Sequence, residues 1–173
     1  MDFYQSIVAE HLQRDRGCFL NTEFYLVERN PVENTKKKEW FVDIVAIDLR
    51  YGRIWLCEVS YAKGLSSLFK RLGEWSSKWG NVCARLKAEA CLTDEMQTWP
   101  IYVWAFIAPK TDERNNWKAE KDKIEHLQFG GHKARITELD QVAPWAANRW
   151  PISWGPKDIE ASQLALFEGK RGR

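Results

Sequence analysis

The stretch WFVDIVAIDLRYGRIWLCEVSY, residues 40–61, decides the fold of this chain. Its two halves, 40–49 and 53–61, are rich in aromatic and branched side chains, which favour β-strands. Tyr51-Gly52 lies between them and is typical of a tight turn that joins antiparallel strands. The stretch therefore predicts a β-hairpin, and two acidic residues interrupt its apolar runs.

These acidic residues are Asp43 in WFVDIVAID and Glu58 in IWLCEVSY. A charge inside a buried strand costs free energy unless it is paired or bound to a metal ion. A two-residue turn at Tyr51-Gly52 would make Asp43 and Glu58 diagonal neighbours on one face, roughly 7–8 Å apart at the backbone. Two carboxylates at that separation can share one Mg²⁺. A register shift of one residue would put them on opposite faces, so the metal hypothesis depends on the turn.

The same two residues also fit a purely structural interpretation. Asp43 could lie near the start of its strand in contact with water, and Glu58 could pair with Lys63 or with an arginine. The elements around the hairpin bear on the choice between the two interpretations.

Helices and further strands are predicted on both sides of the hairpin. Apolar residues recur at spacings of three and four through 65–90, which is typical of one long helix with an apolar stripe. The nearly continuous apolar run 100–109 indicates a strand in the centre of a covered sheet. A strand, a helix and a further strand favour parallel pairing, so the predicted class is α/β with a mixed central sheet flanked by helices. The other predicted elements are a helix at 3–13, a strand at 18–28, a charged helix at 115–128 and a strand at 133–139.

Length and composition indicate a single folded domain. The chain has 173 residues, among them ten Trp, eight Phe and five Tyr, so it can bury a core and is not a disordered tail. We expect one domain over 1–173, with a core at about 3–139 and a Trp- and Pro-rich extension at 140–173. The 26 Lys and Arg exceed the 24 Asp and Glu by only two, a balance that neither requires nor excludes a nucleic-acid partner.

The cysteines and the apolar runs indicate a cytoplasmic protein. No C-x-x-C pair is present, and the histidines do not lie at zinc-ligand spacing from the thiols, which favours scattered reduced cysteines. No apolar run approaches the ~20 residues that span a bilayer, and the first residues lack the pattern of a secretory signal. We therefore expect no membrane partner. The four cysteines are Cys18, Cys57, Cys83 and Cys91.

The order of elements and the acidic pair together resemble the PD-(D/E)XK nuclease superfamily, which includes restriction endonucleases. The resemblance covers about residues 3–110 and lies in Asp43, in Glu58-Val59-Ser60 and in a helix that precedes three strands. It implies a restriction-endonuclease-like αβββαβ core. It also implies that Asp43, Glu58, the Val59 carbonyl and the accessory Glu10 bind Mg²⁺ or Mn²⁺, and that the protein hydrolyses phosphodiester bonds, with DNA as the expected substrate.

One position departs from the family pattern. Ser60 stands where the family has its catalytic lysine, and serine cannot supply a positive charge. Ser60 remains among the expected catalytic residues, and some members of the family carry the basic residue in the following helix. Lys63 is our preferred substitute, Arg71 is a further candidate, and Lys70 is expected to face solvent from its helical position. The alternative function is a catalytically inactive nuclease fold that binds nucleic acid or protein.

Several basic and aromatic residues could contact a partner. Arg71, Lys78 and Arg85 recur every seven residues along the predicted long helix and could follow a phosphate backbone, although a solvated helix face is the more common explanation of such a line. The tryptophans of the C-terminal extension could stack on bases, dock on a larger assembly or pack onto the sheet. The oligomeric state stays open between a monomer, a homodimer and a larger protein assembly. These tryptophans are Trp145, Trp150 and Trp154.

Overall fold

The computed structural model describes residues 1–14, 16–27, 39–62, 64–90, 92–110 and 116–142. Five helices and seven strands lie within these ranges. They are α1 (Phe3–Gln13), β1 (Cys18–Val27), β2 (Glu39–Asp48), β3 (Arg53–Ser60), α2 (Ser66–Ser77), α3 (Trp79–Glu89), β4 (Ile101–Ile107), α4 (Trp117–Glu125), β5 (Gln128–Phe129), β6 (His132–Lys133), β7 (Arg135–Glu138) and α5 (Leu139–Val142). The part of the C-terminal extension beyond residue 142, with Trp145, Trp150 and Trp154, lies outside the described residues.

A five-stranded mixed sheet forms the centre of the molecule. Its strand order is β1-β2-β3-β4-β7, with antiparallel pairing of the first three strands and parallel pairing of β3 with β4 and of β4 with β7. The predicted mixed α/β class with flanking helices is therefore confirmed. Within the described ranges, no helix combines the length and the apolar character that crossing a bilayer requires.

Helices pack on both faces of the sheet and create two apolar clusters. The first cluster joins the sheet to α2, α3 and α4 through fully buried side chains such as Leu72, Trp75 and Leu86. The second cluster joins the opposite face to α1 and α5, with Val8 and Leu12 among its residues. The sheet is thus covered on both sides, which explains why its central strands are mostly apolar.

The predicted long helix over 65–90 is wrong in one respect, because the structure contains two helices there. Lys78 separates them with φ −122° and ψ 28°, and its N–H is shared between the carbonyls of Glu74 and Trp75. The break falls between two serines and Gly80, residue types with weak helix propensity. The apolar stripe nevertheless continues across the break, since Trp75 and Val82 pack into the same cluster.

The loop between β2 and β3 is longer than predicted. Asp48 pairs with Arg53, so four residues form the loop instead of two. The cause is the Asp48 side chain, which accepts hydrogen bonds from the Tyr51 N–H at 3.2 Å and from Nε of Arg53 at 2.7 Å. Gly52 completes the loop with a φ of +61°, a conformation that glycine adopts without strain. The register therefore differs from the predicted one by two residues, which preserves the face on which each side chain lies.

Strands β1 and β2 exchange faces at one shared position. Trp40 and Val42 pack in the cluster of α2, whereas Ile44 and Ala46 pack in the cluster of α1, although strict alternation would place all four together. The pairing register of β1 with β2 is the same on both sides of the exchange. Asp43 is the β2 residue at which the series of pairs is interrupted. The two strands therefore turn over together at Asp43 and at the residue across from it.

The residue across from Asp43 is Glu23, which has a φ of +57°. Among the described residues it is the only one other than glycine in this left-handed conformation, which costs an L-residue about 1–2 kcal/mol. Its side chain pairs with the N-terminal ammonium of Met1. Backbone strain at Glu23 thus accompanies the exchange of faces that sets the position of Asp43.

The strain at Glu23 predicts different stabilities for two substitutions at this position. Glu23→Val should lower the free energy of unfolding by about 1–2 kcal/mol relative to Glu23→Gly, because a β-branched residue tolerates positive φ poorly. Both variants lose the contact with Met1, so the difference between their free energies of unfolding reports the cost of the backbone conformation alone. Urea unfolding followed by circular dichroism measures it. Equal stability of the two variants would contradict the proposed strain.

Candidate functional site

Strands β2 and β3 separate beyond the pair of Ile44 with Cys57. One step further, the register sets Asp43 opposite Glu58, but the backbones no longer continue the ladder. Instead, the Val59 N–H donates a hydrogen bond of 2.7 Å to Oδ2 of Asp43. A side-chain carboxylate thus takes the place of a backbone carbonyl, and the sheet opens at the carboxyl end of β3.

The other carboxylate oxygen of Asp43 is held by helix α1. Asp2 caps this helix by accepting the Gln5 N–H, and Oε1 of Gln5 accepts the Asp2 N–H in return, each at 2.9 Å. This capping box fixes the Gln5 side chain. Its Nε2 then donates to Oδ1 of Asp43 at 2.9 Å. Both oxygens of this buried carboxylate therefore accept a hydrogen bond.

Glu58 is fully buried and far less well satisfied. Nη2 of Arg71, from helix α2, lies 2.7 Å from Oε2 of Glu58, close enough for an ion pair. Within the described part of the chain, neither oxygen of Glu58 completes a hydrogen bond of good geometry, and the buried Nε of Arg71 has no partner either. The Glu58 carboxylate is thus held by the ion pair with Arg71 and by looser hydrogen bonds from the Arg71 side chain and the Asp43 N–H.

The pKa values of both acids are raised, and burial is the main cause in each case. For Asp43, the Val59 N–H, the Arg71 charge and the Gln5 amide oppose the rise, while the nearby Asp2 adds to it. For Glu58, the charge of Asp43 adds to the effect of burial, and Arg71 opposes both, so the pKa lies well above its ordinary value. Two buried carboxylates thus face one guanidinium, whose positive charge does not offset the rise that burial causes in either pKa.

The other predicted site residues on the β-strands and on α1 differ in their proximity to this pair. Ser60 ends β3, and by strand alternation it lies on the same face as Glu58. The structure records the Val59 N–H at the site, while the metal-binding role of the Val59 carbonyl stays a prediction. Glu10 does not join the acids, because it is exposed on α1 and pairs with Arg14 at 3.5 Å.

The predicted basic residues also separate. Arg71 reaches the acidic pair, whereas Lys78 lies at the break between α2 and α3 with its Nζ 5.7 Å from the centre of the Trp40 ring. Arg85 lies on α3, half-buried. Lys63 falls outside the described residues. The nucleic-acid-binding role of the three residues of the predicted line stays a prediction, but the helix break means that they do not follow a single helix axis.

The sequence analysis missed Gln5 and Asp2. The signal was present, since Asp-Phe-Tyr-Gln at residues 2–5 has the spacing of a capping box before an amphipathic helix. The pattern could not show that the Gln5 side-chain amide would contact the carboxylate of Asp43, 38 positions away on β2.

In the described ranges, no group of three or more His, Cys, Asp and Glu side chains could hold a metal ion. Asp43 and Glu58 therefore supply two carboxylate ligands, and a metal ion there would need others, such as a backbone carbonyl, water or substrate. Magnesium accepts such mixed sets, commonly one or two carboxylates with water and phosphate.

The chain was also compared with known proteins. No protein-family model matches it, and no curated protein sequence is similar to it. The interpretation of the site therefore depends on its own geometry.

The raised pKa of Glu58 predicts a pH-dependent stability. Between the ordinary pKa of 4.5 and the raised value, the folded protein keeps a proton that the unfolded chain has released, so this residue lowers stability as the pH rises through that window. The side chain of the Glu58→Gln variant does not titrate. The free energy of unfolding of this variant should therefore increase relative to that of wild type as the pH rises from about 5 to about 8.

Urea unfolding of both proteins across this range measures the difference. A gap between them that does not change with pH would contradict the raised pKa. Glu10→Gln, at an exposed acid on α1, is the matched control and should show no such trend.

Proposed function

We propose that this protein is a metal-dependent nuclease that hydrolyses phosphodiester bonds, with DNA as the expected substrate. The observation that carries the proposal is the buried pair of Asp43 and Glu58 at the opened end of β2 and β3, with the guanidinium of Arg71 beside it. Strongly perturbed acids that face a cation are typical of functional sites. The order α1, β1, β2, β3, the helix pair α2 and α3, and β4 also agrees with a restriction-endonuclease-like core.

The chemistry of the donor set fits a hard divalent cation. Both acids offer oxygen ligands, and Glu58 has no well-directed hydrogen bond within the described residues that a cation would have to break. When bound there, Mg²⁺ or Mn²⁺ would supply Lewis-acid charge that lowers the pKa of a water molecule and offsets the charge of the phosphate. The added positive charge would also favour the ionised forms of Asp43 and Glu58.

The residues of the chain have separate roles in this proposal. Gln5 and the Val59 N–H hold the Asp43 carboxylate in one orientation, so they are positioning residues. Arg71 supplies the positive charge that Ser60 lacks, and its planar guanidinium suits a phosphate with two acceptor oxygens. Charge on the phosphate grows in the transition state, and a fixed guanidinium stabilises it. Lys63, our preferred candidate from the sequence, remains the alternative for this role.

A second function is favoured by the same ion pair. Arg71 already partly neutralises Glu58, and Glu10 lies elsewhere, as expected for a nuclease fold that has lost its metal and binds nucleic acid or protein without cutting it. The two functions differ in a simple property, which is the affinity of the acidic pair for a divalent cation.

Metal binding gives the first test. Calorimetric titration of Mn²⁺ into wild type should detect a site that Asp43→Asn removes, because the amide cannot supply a charged oxygen to the cation. Glu10→Gln is the control and should bind like wild type. If Mn²⁺ binds neither wild type nor Asp43→Asn, in the presence or absence of a DNA oligonucleotide, the inactive binding module is the better explanation.

Cleavage gives the second test. With Mg²⁺ or Mn²⁺ and labelled DNA, Arg71→Ala should cut at least about 10²-fold more slowly than wild type, the loss expected when one stabilising donor is removed from a reaction centre. Arg71→Lys should retain part of the rate because it keeps the charge. Lys70→Ala is the matched control, since Lys70 is the exposed neighbour on α2.

Gel analysis of the cleavage products gives the rates in these experiments. Cleavage by Arg71→Ala at the wild-type rate would assign the positive charge to Lys63 instead. Cleavage by Asp43→Asn at the wild-type rate would overturn the site itself.

A further inference from the structure

Three exposed aromatic rings meet beside the acidic pair. Phe3, Tyr4 and Tyr61 are 64%, 36% and 52% exposed, and we call them the aromatic patch. The rings of Tyr4 and Tyr61 are stacked, with centroids 4.8 Å apart and planes 18° from parallel. Phe3 meets Tyr4 edge to face at 5.4 Å. Large rings are normally buried, so three of them together in water need an explanation.

The patch adjoins the site through both of its chain segments. Tyr4 precedes Gln5, whose amide holds Asp43. Tyr61 directly follows Ser60, three residues beyond Glu58. The stacking of Tyr4 on Tyr61 thus joins the start of α1 to the end of β3, the same two elements that hold the carboxylates.

The shape of the patch indicates what could bind it. Two nearly parallel rings with exposed surface can be extended by another flat ring, because offset stacking is a favoured geometry for π-systems. Every nucleobase has such a face, and single-stranded nucleic acids commonly stack their bases on aromatic side chains. In a duplex these faces are covered by neighbouring bases, so an intact duplex offers them only at its ends or after a base has been extruded.

We propose that the aromatic patch stacks an unpaired nucleobase next to the phosphate at the acidic pair, so that the substrate is single-stranded nucleic acid or a frayed duplex end. This inference rests on the proposed nuclease function and adds the substrate class to it. Tyr61 is the principal stacking residue, because it is the more exposed member of the stacked pair. Phe3 closes the outer side of the patch against Tyr4.

Binding without cleavage tests the patch directly. Fluorescence anisotropy in EDTA compares a labelled single-stranded oligonucleotide with a blunt duplex of the same sequence. Tyr61→Ala should weaken single-strand binding roughly five- to a hundredfold, the range expected for the loss of one stacked base. Tyr61→Phe should bind like wild type because it keeps the ring. Binding of the blunt duplex should change much less.

Phe19→Ala provides a matched control. Phe19 is 59% exposed and pairs with Ile47 near the β2–β3 loop, at the other end of β2 from the acids. Its removal should leave single-strand affinity unchanged. Circular dichroism checks that each variant is folded. The inference is overturned if wild type does not prefer the single strand, or if Tyr61→Ala loses no more affinity than Phe19→Ala.

Cleavage assays with Mg²⁺ or Mn²⁺ separate the two proposals. If wild type cuts DNA but Tyr61→Ala binds and cuts single strands normally, the nuclease function stands and the aromatic patch does not recognise bases. If single-strand binding depends on Tyr61 but wild type cuts neither oligonucleotide, the patch stands and the nuclease function fails.

Discussion

The hydrogen bond from the Val59 N–H to the carboxylate of Asp43 is the interaction on which the site depends. A buried N–H must have a partner, and here the neighbouring strand has turned over and no longer continues the ladder. The carboxylate satisfies the N–H and keeps β3 tied to β2 while the backbones separate. A neutral side chain too short to reach Val59 would leave a buried donor unpaired, at a cost of about 1–3 kcal/mol. The opening of the sheet and the burial of Asp43 therefore both follow from the turning over of β2.

The second constraint is charge. Asp43 and Glu58 are buried together with a single guanidinium, and burying a charge without full compensation costs several kcal/mol. An apolar residue of similar size would fill the space of Glu58 without this cost, whereas Asp43 is also the acceptor of the Val59 N–H. A protein keeps such an arrangement where chemistry or recognition uses the charge. With one guanidinium for two carboxylates, a cation or a cationic group from a partner would favour the ionised forms of both acids and be attracted to this end of the sheet.

The sequence predicted much of the fold and part of the site, for physical reasons that differ between residues. The acids stood out in the sequence because each interrupts an apolar run. Strict alternation fails at Asp43, where β1 and β2 turn over, so that Gln5 of α1 reaches Asp43 while Arg71 of α2 reaches Glu58. The loop itself was mispredicted because its length is set by hydrogen bonds from the Asp48 side chain, which apolar patterning does not reveal. Gln5 was missed for a related reason, since its contact with Asp43 depends on how α1 packs across the sheet. Arg71 was proposed only for its charge, and its distance from Glu58 came from the structure.

The exchange of faces in β1 and β2 has a consequence for how the molecule unfolds. Because Trp40 and Val42 belong to one apolar cluster and Ile44 and Ala46 to the other, a single strand is anchored in both layers of the core. Exposure of either layer therefore disrupts the packing of β2. We therefore expect the backbone amides of α1 and of α2 to exchange with solvent in one cooperative opening, so that the two halves of the protein share a common free energy of unfolding.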